Sequence, residues 1–360
     1  MSQTITITTP SDLAASDREA WVRLQQADRT YESPYFHPGW AEAVDRARGG
    51  VKVAVVQECG QPVGFWPYEQ LGSRAVPCGV PLSDYQGCIG RPGLVVDTPK
   101  LLKASGTRMW EFDHLLAVQP GMDDFEIVAE CSPYLDLSAG YDAYLRTIGK
   151  SGRRQIKAVD KKATKLHDER GPLRLEADCR DAAVLDQVIA WKSQQYRETG
   201  LPDIFSADWT RTLLHDLLTH ESDDAFSGRL SALWAGDQLA AAHFGLRSGP
   251  VVHWWFPTYD DALAEYSPGW QLLVLLAQRA EEVGIDRIDL GKGMSQFKRK
   301  AMSGSIPLRE GIIEHSPLRR ALRRTGLQLK ERLKQTPLRE VLRGPASWLF
   351  HRRVDNVLRS

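Results

Sequence analysis

The sequence predicts a mixed α/β protein built from two similar halves, and three observations predict it. Short β-branched runs such as Val51–Gln57 alternate with stretches of helical periodicity such as Asp181–Arg197. The length of 360 residues suits two domains at roughly 100–200 residues each. The halves also share local text. Phe36-His-Pro-Gly-Trp40 and Phe205-Ser-Ala-Asp-Trp209 each open a helix that leads into a hairpin with a glycine turn, at Gly60 and Gly236.

In the first half a helix is predicted over Ser16–Ala27, and a second over Gly39–Ala47 with Pro38 just inside its start. Val51–Gln57 is a strand, Cys59-Gly-Gln-Pro62 a turn and Val63–Gln70 the returning strand. A Gly- and Pro-rich stretch runs from Gly72 to Gly93, and Met109–Val118 is a further strand. Basic residues then crowd a predicted helix from Arg153 to Lys165.

The second half opens with a strand at Leu173–Ala177. Two amphipathic helices follow, Asp181–Arg197 and Trp209–Thr219. Three strands come next, Arg229–Ala235, Gln238–Arg247 and Pro250–Thr258, the first two joined by the turn Gly236-Asp237. Gly269–Glu282 is an apolar helix stopped by Gly284. Ile285–Leu290 is a strand, Phe297–Met302 a short helix and Leu308–Glu314 a last strand. The domains expected are 1–140, 141–315 and a basic helical tail over 316–360.

Lys and Arg together equal Asp and Glu, 46 each, so the whole chain is not biased toward nucleic acid. The five cysteines form no CxxC pair, which points to buried small hydrophobes in a reducing compartment and to neither metal nor disulfides. No signal-peptide pattern or membrane-length apolar run is visible, so a cytoplasmic protein is expected. The tail is strongly basic. It suits an anionic membrane surface, which would make the protein peripheral at the inner membrane, or an acidic partner; packing against the body is equally open.

The chemistry concentrates between His253 and Gly293. A strand ends near Tyr259, a polar loop follows, and Tyr266-Ser-Pro-Gly-Trp270 opens the apolar helix. Ser267 can cap that helix, Pro268 suits its first position and Gly269 lets a ligand approach the backbone. A helix start of this kind binds phosphate, although an ordinary capped helix reads the same way. Asp289-Leu-Gly-Lys-Gly293 ends the next strand, so two neighbouring strand ends would face one crevice.

Taken with Tyr259-Asp260, Gly284-Ile285 and Phe297-Lys298, these segments resemble the GNAT acyltransferases of the CelD-like family of cellulose and exopolysaccharide biosynthesis. That family is similar to the FemAB-type aminoacyltransferases. The resemblance is strongest over 140–315 and weaker over 20–135, where Pro81-Leu-Ser-Asp-Tyr85 matches best. It implies a tandem GNAT-like acyl-CoA N-acyltransferase fold. It also implies an acyl-CoA donor, acetyl-CoA first of all, bound at Tyr266, Ser267, Pro268, Gly269, Trp270 and Gln271, and no metal. The reaction implied is acyl transfer to an amine or hydroxyl of a polysaccharide or cell-envelope precursor. Two departures stand out. The glycine-spaced pyrophosphate loop is reduced to Gly269, and Phe297 stands near the place of the usual thiolate-protonating Tyr.

Catalytic candidates are therefore Lys298, a cation for the developing oxyanion; Asp289, which could orient Lys298 or cap a turn; His243, a proton acceptor or a structural histidine; and Tyr259, close to the donor mouth. Asp84, Tyr85, His253 and Asp260 are the candidate acceptor contacts. The alternatives are an aminoacyl-tRNA donor held by the basic helix, and a degenerate GNAT scaffold of a synthase complex.

Overall fold

A computed structural model describes residues 3–220, 226–316 and 325. The predicted basic tail therefore lies, apart from Ser316 and Thr325, outside the described residues. The chain divides into two compact units. Among the described residues, unit 1 holds 3–130, 200–207, 307–316 and 325, and unit 2 holds 131–199, 208–220 and 226–306.

In chain order the elements are β1 (Gln3–Thr8), α1 (Ala15–Ala27), α2 (Pro38–Arg48), β2 (Val51–Glu58), β3 (Gln61–Leu71), β4 (Arg74–Pro77), β5 (Ile89–Gly90), α3 (Thr98–Ser105) and β6 (Met109–Leu116). They continue with β7 (Glu126–Asp136), α4 (Tyr141–Thr147), α5 (Lys150–Arg170), β8 (Leu173–Cys179), α6 (Ala182–Thr199), α7 (Asp208–Thr219), β9 (Phe226–Ala235), β10 (Gln238–Ser248) and β11 (Val251–Tyr259). The last are α8 (Pro268–Gln278), β12 (Arg287–Asp289), α9 (Gln296–Ala301) and β13 (Gly304–Ile313). The mixed α/β class expected from the sequence is the class observed.

Each unit repeats one topology. In unit 1, β1-β2-β3-β4 pair antiparallel and β4 pairs parallel with β6. In unit 2, β8-β9-β10-β11 pair antiparallel and β11 pairs parallel with β12. The helices recur as well: α1 and α2 precede the first hairpin, α6 and α7 the second, and α3 and α8 make the crossovers. Both second helices start alike, a 3-10 turn at Pro34–Phe36 or Ile204–Ser206 followed one residue later by the helix. The final strands cross over in sequence. β13 pairs with β6, and β7 pairs with β12.

The cores follow from alternation along the strands. In unit 1, Phe65 stacks on Trp21 of α1 at 5.3 Å, while its neighbour Trp66 points to the opposite face and joins Trp110 and the buried leucines of α3. In unit 2, α6 and α7 cover one face of the sheet; α5 and α8 cover the other, around Leu233, Val252, Trp254 and Leu272.

Six elements escape the sequence reading: β1, β4, β5, α3, β7 and α4. β7 carries Glu126, Glu130, Pro133 and Asp136 and is half-exposed along most of its length, so it lacks an apolar alternation. Two helices differ in length from their prediction. α5 runs for 21 residues because its buried stripe, Gly152, Ile156, Val159 and Leu166, extends beyond the basic cluster on both sides. α8 stops at Gln278, where successive turns carry the chain to Gly284.

Candidate active site

The site is built where β11 hands over to α8. β11 is a β-branched and aromatic strand, buried along most of its length, that pairs with β10 as far as Tyr259. Asp260 then caps a 3-10 turn over Asp261–Tyr266, its Oδ1 accepting from Ala262 N at 2.9 Å and its Oδ2 from Gln238 Nε2 at 2.8 Å. Ser267 follows in the left-handed region, φ 58°, ψ 50°, and Pro268 takes the first helical position.

The left-handed backbone corrects the expected role of Ser267. A capping serine holds an extended conformation that turns its hydroxyl onto the helix amides. Ser267 makes no such bond; its Oγ instead accepts from Lys162 Nζ of α5 at 2.9 Å. Trp270 N and Gln271 N bond the Ser267 carbonyl at 3.0 and 3.2 Å, and Gly269 N has no acceptor among the described residues. One amide, the positive end of the helix dipole and the Lys162 ammonium thus converge at the α8 start.

The rest of the predicted donor segment divides between surface and interior. Tyr266 is buried and its hydroxyl donates to Glu169 of α5. Gln271 is buried as well and donates to the Tyr266 carbonyl at 2.9 Å. These two side chains hold the turn together and do not face outward. Trp270 is half-buried, edge-on to Phe297 of α9 at 4.6 Å. Tyr259, 39% exposed, lies against Gly269, where an added Cβ would stand 3.4 Å from its Cδ1.

Beside this helix start the sheet opens. β11 and β12 pair only through Val251–His253 and Arg287–Asp289. β11 runs on to Tyr259, while the chain after Asp289 turns the other way: Leu290 N bonds Pro133 O and Gly293 N bonds Cys131 O, each at 2.9 Å. His253 and Asp289 face each other in register at the parting, both fully buried. The Asp289 carboxylate lies 3.6 Å from Arg287 Nε.

Lys298 does not point freely into solvent. Its Nζ donates to the carbonyls of Gly291 and Lys292, both at 2.8 Å, which fixes a positive charge on the loop after β12. His243 is fully buried and stacks on Trp254 at 3.8 Å. Burial pulls its pKa down to about 3, so it is neutral near pH 7 and a weak proton acceptor.

Asp84 and Tyr85 belong to unit 1. Tyr85 is buried among Tyr35 and Phe36, so its ring is core. Asp84 is bound to His114 Nε2 at 3.1 Å, and Asp113 holds the other ring nitrogen at 2.9 Å. Their neighbour Gln86 fills the parting between β4 and β6. Gln86 N bonds His114 O at 3.1 Å, Leu116 N bonds Gln86 O at 3.4 Å, and its side chain bonds Asp113. The crossover helix of this unit, α3, is capped by the Asp97 carboxylate, which accepts from Lys100 N at 3.0 Å. Unit 1 therefore closes with its own chain and an acid the two positions that unit 2 presents as a parted sheet and a cationic helix start.

Sequence reasoning singled out the basic helix as a group. It had no signal by which to select Lys162, which needs the packing of α5 on α8. His114 and Gln86 left no signal, because the pairs Gln86–Asp113 and His114–Asp84 span 27 and 30 residues of chain.

Residues 150–299 match the family described as acetyltransferase (GNAT) domain. No curated protein sequence matches the chain significantly. Among solved structures, the C-terminal domain of a protein described as a lysylphosphatidylglycerol synthetase, from Agrobacterium fabrum, is similar with a TM-score of 0.53 and 13% identity, over 87% of this chain and 96% of that one. FemX is similar with a TM-score of 0.52 and 10% identity, over 89% and 100%. A conserved protein of unknown function from Bacteroides thetaiotaomicron has a TM-score of 0.51 and 13% identity, over 84% and 97%. At these identities the solved structures speak for the fold. The match over residues 150–299 supports an acyltransferase of the GNAT type.

Proposed function

We propose that the protein moves an acyl group, acetyl in the simplest case, from CoA to an amine or hydroxyl of a polysaccharide or cell-envelope precursor. One observation carries the reading: β11 and β12 part at His253 and Asp289 beside a helix start that offers the Gly269 amide and the Lys162 ammonium. These groups fit the donor's diphosphate, which seeks amide hydrogens and a cation. The pantetheine arm carries amides that a strand edge can bond.

In the reaction the acceptor's lone pair attacks the thioester carbon. A C–N or C–O bond forms, the C–S bond breaks, the acceptor loses a proton and the CoA thiolate gains one. Tyr259, exposed at the end of β11 and against Gly269, is the phenol placed to protonate the thiolate. Lys298, fixed by two carbonyls, contributes positive potential at the end of β12. Asp289 at the parting is the carboxylate to orient the acceptor, with His253 opposite it. Asp260 turns its carboxylate to Gln238 on the acceptor side. His243, neutral and stacked, keeps a packing role.

The parting of unit 1 is filled, so one donor site per chain follows. Calorimetry with acetyl-CoA should give a stoichiometry of about one and a Kd raised at least about tenfold in Gly269→Trp. Absence of binding by the wild type, or equal binding by both, sinks the proposal.

A second reading rests on the basic face of α5, where Arg153, Arg154, Lys157, Lys161, Lys162 and Lys165 lie on one helix. An aminoacyl-tRNA donor would bind there, with an affinity that falls steeply with salt. Binding to tRNA that is absent or independent of salt removes it.

A further inference from the structure

A second concavity opens within unit 2, on the face of the sheet that α6 covers. It lies between the first turns of α6, the tip of the β9–β10 hairpin and the end of β11, and has a volume of about 340 Å³, within the range of small-molecule pockets. Its walls hold two indoles, Trp191 of α6 and Trp234 of β9, with Leu239 between polar groups: Gln187, Gln238 and Asp260. Trp234 is braced by Arg174, whose guanidinium lies 5.3 Å from its ring. Asp260 is held in place by Ala262 N and Gln238 Nε2 and keeps further lone pairs for a ligand. Both indoles are only half-buried, although tryptophan gains much from full burial.

This set matches one ligand chemistry. A sugar ring presents an apolar C–H face that stacks on an indole and an equatorial rim of hydroxyls that carboxylates and amides receive. A flat apolar ligand would leave Asp260, Gln187 and Gln238 without use, and a phosphate would be repelled by the carboxylate. The groove also has the right neighbour, because Asp260 directly follows Tyr259, the residue against the donor helix start. We infer that this groove is a glycan subsite, with one sugar ring held by Trp191 and Trp234 on the acceptor side of the transferase. The inference deepens the acyltransferase reading above and rests on it for the acceptor role.

The test titrates the full-length chain with cellotetraose and, separately, with the tetramer of glucosamine, following tryptophan fluorescence and calorimetry. Acetyl-CoA is titrated on the same samples. Saturable binding of either tetramer is expected, weakened about tenfold in Trp191→Ala, less in Gln187→Ala, and largely retained in Trp191→Phe. Acetyl-CoA affinity should be equal in all of these variants, which also shows that they are folded. No binding of either tetramer to a wild type that binds acetyl-CoA overturns the subsite and leaves the donor site standing. Tetramer binding unchanged in Trp191→Ala and Gln187→Ala also overturns it. Tetramer binding lost in Trp191→Ala by a protein that ignores acetyl-CoA keeps the subsite and removes the acyltransferase reading.

Discussion

Lys162 Nζ, 2.9 Å from Ser267 Oγ, places a full charge where the resemblance to glycine-rich GNAT loops leads one to expect only backbone. A cation at a helix start adds to the dipole and attracts phosphate by the same sign. Lys165 nearby is less available: it is exposed, bound to Glu265 at 2.7 Å, and that partner raises its pKa. Lys162→Ala should raise the Kd for acetyl-CoA about tenfold, the scale of one charge-assisted hydrogen bond, and should flatten its dependence on salt. Lys162→Arg should recover most of the loss. Equal affinities across the wild type and both variants in calorimetry would remove Lys162 from the donor site.

α5, which carries Lys162 to the α8 start, also lies close against α9. An added Cβ at Gly152 would overlap the Lys300 carbonyl, so the two backbones touch there. Lys300 Nζ bonds Gln155 at 3.0 Å, and Tyr144 OH bonds the Ala301 carbonyl at 2.7 Å. Alanine is the better helix former by about 1 kcal/mol, yet Gly152→Ala should lower stability by about 1–3 kcal/mol, since a tight contact between backbones cannot relax cheaply. Thermal unfolding with and without acetyl-CoA checks this; a raised Tm would mean that α5 can shift freely. The same contact explains what was legible. A helix over Arg153–Lys165 was legible as a basic stretch, but its distance to α9 was not, because a glycine in a helix reads as a weakness until its neighbour is known.

At the scale of the whole molecule the two units titrate in opposite directions. His243 in unit 2 is held near pKa 3 by burial, below its ordinary 6.5. Its unfolded form therefore binds the extra proton, and stability present above about pH 6.5 is lost as pH falls toward 3, by up to about 1.4 kcal/mol per pH unit. His114 in unit 1 is pulled down by burial, but the Asp113 and Asp84 carboxylates outweigh that and raise it to about 9. Its stability is full below about pH 6.5 and is lost as pH rises through 9. Denaturation in urea across this range should show both limbs. His243→Leu should flatten the acid one and His114→Gln the alkaline one, and unchanged limbs would refute the assignments. The sequence by itself determined the mixed α/β class, the duplicated order of helices and hairpins, and the strand–turn–helix segment of Tyr259 to Gly269, because periodicity and turn chemistry act over a few residues. Only the tertiary structure decided that β7 and β13 close the sheets of the opposite repeats, that Gln86 fills one parting while the other stays open, and that Lys162 serves a helix start 105 residues away. Those are matters of pairing between distant segments, and neither a local pattern nor a propensity encodes which distant partner a hydrogen bond or a charge will find.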